Sequence, residues 1–483
     1  MLGTALAQLR LAVALLTGRP IPSWALSGLI AGAVATRQEF GALGAGAAES
    51  ASGPALDAGA QRELQLRRFR AQARRAAATP YYAPRFADLG LNPATLTWEQ
   101  IAALPPTPKE ALRDDPDAFV HPQARPILRA TTHGTTGEPT RIAFSAAELR
   151  QMAGIAGLGM VLQGQIGPED VVQINTATGA LLGNWNLAGG ATQIGALIQP
   201  IGLIAPERTL ALLARPLAIP GKKAKVSVLS TYPSYLGALV ECGLAAGYGP
   251  HDFALERILT GGEIVTAGLK RRVQALFGGV AFNEGWAMSE TFPFGAQRCE
   301  AGHLHSEPTH GLLEVLDPDS AQPAPPGTVG VLVATPFAPF RETTLLLRYD
   351  TGDLVRTLEA VPACSLRHQP ATSDVLGKRS LSVRHEGDWI TPRQVLDALE
   401  AIEAVPLPAR CGFWAVPNGV ALEVVVRVAD PPTRQHLLAS LEDHAVPVRE
   451  LTLLTDPAAL RRPYPWRGDL REQGFVTPRV EVA

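Results

Sequence analysis

Residues 131–140 of the 483-residue chain place hydroxyl side chains and glycines between two largely apolar runs, 127–130 and 141–144. The stretch reads Thr-Thr-His-Gly-Thr-Thr-Gly-Glu-Pro-Thr. Glycines let a backbone approach an anion closely, and hydroxyls with free amides donate to phosphate oxygens. The pattern predicts a strand, a phosphate-binding loop and a second strand. An ordinary polar hairpin loop is the alternative, because the stretch contains neither a P-loop nor a dinucleotide-binding glycine motif.

Three further stretches combine carboxylates with glycine, serine or threonine. They are Thr260-Gly261-Gly262-Glu263, Trp286-Ala287-Met288-Ser289-Glu290-Thr291 and Arg348-Tyr349-Asp350-Thr351-Gly352-Asp353-Leu354. In this order, the four stretches resemble the motifs of the adenylate-forming superfamily, whose last motif reads Y-x-T-G-D-L. Within it the chain is most similar to the phenylacetate–CoA ligase branch, from about Leu64 to Phe475.

The resemblance implies an α/β fold, with a large multi-layer adenylate-forming N-terminal domain followed by a small α+β C-terminal domain. The expected boundaries are an N-terminal extension and linker at 1–60, the core domain at 61–376 and the C-terminal lid domain at 377–483. The sequence supports the α/β class by itself, because short apolar runs alternate with helical segments between residues 145 and 277. Near 391–454 the pattern becomes helix, two strands, helix, strand.

The reaction implied is attack of a carboxylate on the α-phosphate of ATP, with transfer of the acyl group to CoA or another nucleophile. ATP, magnesium and a small carboxylic acid are therefore expected ligands, with CoA as the expected co-substrate. The resemblance assigns the β- and γ-phosphates to the loop, adenine to Gly262 and Glu263, magnesium to Glu290 and the ribose hydroxyls to Asp353. The loop residues assigned to the phosphates are Thr132, Gly134, Thr135, Thr136 and Gly137. Ser289 is the remaining residue assigned to the nucleotide.

Two departures from the branch concern the C-terminal domain. The hinge motif, usually G-R-S-D, reads Gly-Lys-Arg-Ser at 377–380, so its aspartate is missing. The superfamily also keeps a C-terminal lysine that contacts the carboxylate, yet no lysine follows Lys378 here. Arg467 is the candidate replacement, although a planar guanidinium differs in geometry from a point charge. We therefore expect the adenylation half-reaction to be slowed or differently arranged.

A zinc site is the remaining resemblance to the branch. Cys299 and His305 keep the six-residue spacing of a structural zinc site, and Cys364 matches one member of a later C-x-C pair whose partner is lost. Tetrahedral zinc needs a fourth donor, which His303 or His368 could supply. Two buried cysteines with surface histidines are the alternative.

Charge and composition narrow the function classes. The formal net charge of −2 gives no electrostatic footprint for nucleic acid or an anionic membrane. Four scattered cysteines favour a reducing cytoplasm over a disulfide framework. Apolar runs at 9–16 and 24–35 are each too short to span a membrane, so two short helices packed on the body or on a partner are expected over a secreted form.

Three functions remain open. The first is an acid–CoA ligase that proceeds through an acyl-adenylate. The second is adenylylation of a cofactor or metabolite that stops at the AMP conjugate. The third is a degenerate relative that binds nucleotide or acid without turnover, which the missing lysine favours and the phosphate loop opposes. A homodimer is left open as well.

Overall fold

The computed structural model describes residues 2–43, 56–132, 139–177 and 181–463. These residues form two compact units. Unit 1 comprises described residues of 1–170, 180–198 and 284–374, and unit 2 those of 171–179, 199–283 and 375–483. The expected boundaries at 60 and 376 remain a prediction. Most of the expected linker, Gly41–Gly59, lies outside the described residues.

The helices and strands are numbered in chain order over the described residues. The α-helices are α1 Leu2–Thr17, α2 Ser23–Phe40, α3 Ala58–Ala76, α4 Tyr82–Asp88, α5 Trp98–Ala103, α6 Lys109–Asp114, α7 Ala146–Leu162, α8 Leu181–Ile194, α9 Pro206–Ala214, α10 Pro233–Ala245, α11 Ala267–Phe277, α12 Pro392–Glu400 and α13 Pro431–Asp443. The strands are β1 Pro126–Thr131, β2 Arg141–Ser145, β3 Val171–Asn175, β4 Leu197–Pro200, β5 Val228–Thr231, β6 Arg257–Thr260, β7 Ala281–Trp286, β8 Ala296–Arg298, β9 Leu304–Ser306, β10 Gly311–Leu316, β11 Val329–Pro336, β12 Tyr349–Arg356, β13 Ala371–Thr372, β14 Gly377–Lys378, β15 Val383–His385, β16 Asp388–Ile390, β17 Cys411–Val416, β18 Gly419–Val425 and β19 Val448–Leu454.

Unit 1 contains an antiparallel meander, β10–β11–β12, and the hairpin β1–β2 that the sequence predicts on either side of the Thr/Gly loop. Every residue of β11 is buried, as expected for a central strand that is covered on both faces. Aromatic residues from α3, the turn before β1, and strands β2 and β12 share one core, which includes Phe69, Phe119, Phe144 and Tyr349.

The two predicted N-terminal helices are present as α1 and α2, and α2 packs on α7. Leu26 and Ile30 of α2 are buried. A Cβ added at Gly154 of α7 would lie 2.6 Å from Leu26 Cδ1, and one at Gly157 would lie 3.0 Å from Ile30 Cδ1. Glycines on α7 therefore allow close approach of α2. Among the described residues, no helix is both long and apolar enough to cross a membrane.

A capping box begins α7, and its glutamate has a second role. Glu148 Oε2 accepts from the Ser145 amide at 2.6 Å, while the Glu148 amide donates to Ser145 Oγ. The same carboxylate, fully buried, accepts from the amides of Glu342 and Thr343 at 2.8 and 3.0 Å. It therefore fixes both the start of a helix and a distant loop.

Unit 2 combines parallel strands with the C-terminal run. Strands β3, β5 and β6 pair in parallel, and helices α10 and α11 follow β5 and β6 as the strand–helix alternation predicts. Residues 392–454 form helix, two strands, helix and strand, as predicted. Asn418 adopts a φ of 59° in the turn between β17 and β18, a conformation that asparagine tolerates better than most residues.

We expect one histidine, His310, to make the stability of unit 1 sensitive to acid. The imidazole is half-buried beside the Phe340 ring, with centroids 4.2 Å apart, and burial first and then the Arg68 charge lower its pKa to about 3. Because the unfolded chain takes up a proton near pH 6.5 and the folded chain does not, this contribution is complete above pH 6.5 and is lost as pH falls towards 3.

Urea unfolding at pH 7 and pH 5 tests this expectation. Between these values the wild type should lose about 2 kcal/mol through His310, and His310→Leu should remove that part of the pH dependence. An equal loss in both proteins would assign the acid sensitivity to other groups.

Candidate functional site

Arg348 joins several segments of unit 1 at the start of β12. Its side chain is buried, and Nε and Nη2 lie 3.1 and 3.0 Å from the two carboxylate oxygens of Glu314 on β10. Nη1 donates to the carbonyls of Ala102, at 2.8 Å, and Leu104. The Arg348 carbonyl accepts from the Thr107 amide at 2.7 Å. One residue therefore holds β10, β12 and the proline-rich segment before α6 together.

The third and fourth sequence motifs, both in unit 1, run side by side. Trp286 Nε1 donates to Asp353 Oδ2 at 2.9 Å, and Tyr349 Oη donates to Glu290 Oε1 at 3.2 Å. The paired residues are four apart on both segments and follow opposite orders, so the segments are antiparallel here. We call this pair of contacts the clasp.

Glu290 is 1% exposed and has a cationic partner that the sequence prediction did not include. Lys109 Nζ, at the start of α6, lies 3.2 Å from Glu290 Oε1. Burial first, and then the Glu290 charge, raise the pKa of Tyr349 well above its ordinary value. Tyr349 therefore stays protonated and donates to a carboxylate that a lysine also neutralises. The arrangement places the buried Glu290 carboxylate next to the Lys109 ammonium.

Asp353 is buried at 7% exposure in the same clasp. Its backbone amide donates to Thr351 Oγ1 at 3.1 Å, and the Thr351 hydroxyl donates to the Leu332 carbonyl at 2.8 Å. An ionised carboxylate has about four acceptor positions, so the bond from Trp286 is compatible with hydrogen bonds to a diol. These contacts fix the position of the Asp353 carboxylate.

The structure describes only the two ends of the predicted phosphate loop. The Thr132 amide donates to the Thr140 carbonyl, and the Thr140 amide donates to Thr132 Oγ1, both at 2.9 Å. Thr132 therefore closes the β1–β2 hairpin. The other predicted loop residues lie outside the described residues: Gly134, Thr135, Thr136 and Gly137. Ser289 is half-buried beside Glu290.

The Thr-Gly-Gly-Glu motif belongs to unit 2 and follows β6. Glu263 accepts from the Ser234 amide at 2.7 Å and from Ser234 Oγ at 2.8 Å. A carboxylate at the first turn of α10 is favourable with the helix dipole. Gly262 has a φ of 81°, which suits glycine. Tyr232 precedes α10, and burial raises its pKa to about 12.

The described tail packs on the C-terminal sheet as far as Pro463. The Arg461 amide donates to the buried carboxylate of Glu423 at 2.8 Å, and its guanidinium lies 4.8 Å from the centre of the Trp414 ring. A Cβ at Gly412 would overlap the Arg462 carbonyl, so β17 needs glycine where the tail crosses it. Arg467 lies outside the described residues.

The predicted metal ligands come together in unit 1. Donor atoms of Cys299, His303 and His305 lie within 4.8 Å of one another. Cys364 Sγ lies 3.3 Å from His305 Nε2, and Cys299 Sγ lies 3.8 Å from His303 Nδ1. Ligands of a tetrahedral zinc ion are separated by roughly 3.5 Å, as its bond lengths of about 2.0–2.3 Å imply. His368, the other candidate, is exposed.

His305 also has the orientation that a zinc ligand requires. Its Nδ1 lies 3.3 Å from the Gln369 carbonyl, so that nitrogen carries the proton and donates. Nε2 then keeps its lone pair on the side of Cys364. A backbone carbonyl that holds the second nitrogen of a ligating histidine is a common feature of zinc sites. The four residues therefore fit zinc.

Comparison with known proteins agrees with the motifs. No model of a known protein family matches the chain. A phenylacetate–coenzyme A ligase from Thermus thermophilus is 29% identical over 334 residues, which cover 68% of this chain and 72% of the relative. The enzyme of the same name from Pseudomonas putida is 28% identical, with 62% of this chain and 67% of the relative covered. The chain is phenylacetate–CoA ligase-like in sequence.

Solved structures share the fold of this phenylacetate–CoA ligase-like protein. The 2-hydroxyisobutyryl-CoA ligase in its postadenylation state gives a TM-score of 0.71 at 19% identity, over 89% of this chain and 92% of that one. The anthranilate CoA ligase in complex with anthranoyl-AMP gives 0.52 at 15% identity, over 71% and 65%. The predicted α/β class, with a large domain and a smaller C-terminal one, is confirmed.

Sequence analysis assigned no role to two residues that contact the predicted site residues. Lys109 precedes the predicted phosphate loop in the chain and contacts Glu290. Trp286 belongs to the same motif as Glu290 and donates to Asp353. Trp286 lies four residues before Glu290 in one motif, and Tyr349 lies four residues before Asp353 in the other. This shared spacing is a signal that could have revealed the pairing.

The zinc prediction can be tested without activity. Purified protein never exposed to chelator should carry about one zinc per chain, because the four donors match a tetrahedral site. Elemental analysis of Cys364→Ser should show most of that metal lost, while Cys242→Ser, which changes a cysteine of unit 2, should keep it. Metal-free wild-type protein would refute the site.

Proposed function

We propose that the protein is an ATP-dependent carboxylic-acid ligase that forms an acyl-adenylate and passes the acyl group to CoA. The observation that carries the proposal is the clasp, in which buried Glu290 and buried Asp353 lie on two adjacent segments of unit 1. The likeness to acid–CoA ligases supports the same reaction class. ATP, CoA and a small carboxylic acid are the proposed ligands, and the cytoplasm is the proposed location.

In the proposed reaction a carboxylate oxygen of the acid attacks the α-phosphorus of ATP. The bond from that phosphorus to the α–β bridging oxygen breaks, and pyrophosphate leaves with the electron pair. The CoA thiolate then attacks the acyl carbon, and AMP leaves. The protein mainly positions the reactants and stabilises charge, because the covalent chemistry lies within the substrates.

The residues of the chain take four roles in this proposal. Asp353, fixed by Trp286, accepts from the ribose hydroxyls, since a carboxylate can accept two hydrogen bonds from a diol. Glu290 is the proposed magnesium ligand, and a bound Mg²⁺ would supply charge neutralisation at the phosphates. Lys109 provides a positive charge at the same carboxylate. Zinc at Cys299, His303, His305 and Cys364 has a structural role.

The phosphate loop and the adenine contacts complete the proposed nucleotide site. Thr132 closes the neck of the loop, where Gly134, Thr135, Thr136 and Gly137 would provide amides and hydroxyls to the phosphates. Gly262 and Glu263 are the proposed neighbours of adenine, and Ser289 belongs to the magnesium motif. The contacts of Glu263 with Ser234 would keep its loop in place for this purpose.

ATP–pyrophosphate exchange with a panel of aryl and alkyl acids tests the proposal. Asp353→Ala should weaken ATP binding by roughly 30- to 150-fold, because losing a charge-assisted partner costs about 2–3 kcal/mol. Trp286→Phe keeps the carboxylate and is the matched control, so its loss should be much smaller. Unchanged ATP binding in Asp353→Ala would remove the main support for an adenylate-forming site.

The same assay separates the alternatives. Exchange without a CoA thioester would favour adenylylation of a cofactor or metabolite that stops at the AMP conjugate. ATP binding without exchange would favour a degenerate relative, as the missing C-terminal lysine suggests. The chemistry of the acid that supports exchange would then define the substrate class.

The C-terminal cation gives a separate prediction. We expect Arg467→Ala to slow adenylate formation on the order of a hundredfold while ATP affinity stays near that of the wild type, because charge on the carboxylate and α-phosphate builds only along the reaction path. Arg467→Lys conserves the charge and should retain activity. An unchanged exchange rate in Arg467→Ala would mean that the site is complete without the tail, and Lys109 would remain the cation nearest Glu290.

A further inference from the structure

A cavity of about 400 Å³ in unit 1 shares no lining residue with the clasp. The end of α1, one face of α3 and the turn at Ala338 contribute to its lining. The charged and titratable side chains that line it are cationic or neutral: Arg68, Arg74, Arg75 and His121. On α3, Arg68 and Arg75 are seven residues apart and so share one helix face.

Arg68 is the buried member of this group. It is 4% exposed, and its Nη2 donates to the carbonyls of Ala338 and, at 3.4 Å, Thr309. Nη1 has no hydrogen-bond partner among the described residues. Burial and the neighbouring Arg67 charge lower the pKa of Arg68 to about 10. A buried guanidinium with one nitrogen that lacks an acceptor would be stabilised by an anion.

The cavity wall next to Arg68 contains a glycine, Gly18. Gly18 follows α1 with a φ of 72°, where a residue with a side chain would be strained. A Cβ at this position would also overlap Arg68 Nη1. The close approach of the N-terminal segment to the guanidinium therefore requires glycine. The cavity has a fixed wall on that side.

The other cations have little compensation. Arg75 pairs with Glu342 at 3.2 Å, and Arg74 is exposed and has no ion-pair partner among the described residues. His121 Nδ1 accepts from the Gln123 amide at 3.2 Å, so the proton of the neutral ring lies on Nε2. Three guanidinium groups against one carboxylate leave an excess of two positive charges at the cavity.

We propose that this cavity binds a small organic phosphate monoester. Guanidinium groups present paired N–H donors that match phosphate oxygens, and a phosphate monoester carries a charge near −2 at pH 7. The volume falls within the range of about 300–1,000 Å³ that is typical of small-molecule sites. The site shares no residue with the proposed nucleotide site, so it stands whether or not the adenylation proposal holds.

Calorimetric titration of the full chain with phenyl phosphate, at constant ionic strength, tests the proposal. We expect one saturable site in the wild type and about tenfold weaker binding in both Arg74→Gln and Arg75→Gln, since each removes a charged contact. Arg62→Gln is the matched control, because Arg62 is an exposed arginine of the same helix that does not line the cavity. Its affinity should equal that of the wild type.

Several results would overturn the proposal. They are the absence of saturable binding at millimolar phenyl phosphate, an equal loss in Arg62→Gln, and binding that saturating ATP abolishes, which would place the ligand in the nucleotide site. Inorganic phosphate that binds as tightly as phenyl phosphate, or succinate that binds more tightly, would contradict a phosphate monoester. Arg68→Gln is interpreted only if its circular dichroism and thermal unfolding match those of the wild type.

Discussion

The buried ion pair between Arg348 and Glu314 is the contact on which the candidate site of unit 1 depends. Arg348 has a φ of 46°, an uncommon conformation for a residue with a side chain, and its guanidinium pairs with the Glu314 carboxylate and donates to carbonyls before α6. Breaking a buried pair by removing one partner is strongly destabilising. The strained backbone and the ion pair together set where β12 begins. Tyr349 and Asp353 take their positions from that start.

Arg348 also positions the two residues that contact the buried Glu290 carboxylate. Thr107 donates to the Arg348 carbonyl, and Lys109 follows two residues later with its ammonium at Glu290. Tyr349, the residue next to Arg348, reaches Glu290 from the strand. Both partners of the buried carboxylate are therefore positioned by one arginine. The buried Glu290 carboxylate is thereby held between a lysine and a tyrosine.

Much of the fold was predictable because its signals are local. The alternation of strands and helices between 145 and 277 and the order of elements after 391 depend only on neighbouring residues. Helix α8 was missed because its three glycines argue against a helix, whereas Gly189 and Gly190 allow it to pack closely on α7. Lys109 was missed for a different reason, since its role depends on a contact with Glu290, far away in the chain. The motif residues were found through their family resemblance, but their partners were not.

The N-terminal segment has a practical consequence for anyone who clones this protein by similarity. The family resemblance inferred from the sequence begins near Leu64, inside α3, and an expression clone trimmed to that point would start in the middle of a helix. It would uncover the glycine face of α7, against which Leu26 and Ile30 are buried. It would also remove Gly18 from beside Arg68. Poor solubility of such a fragment would then reflect the choice of its first residue, and would say nothing about whether the native enzyme is active.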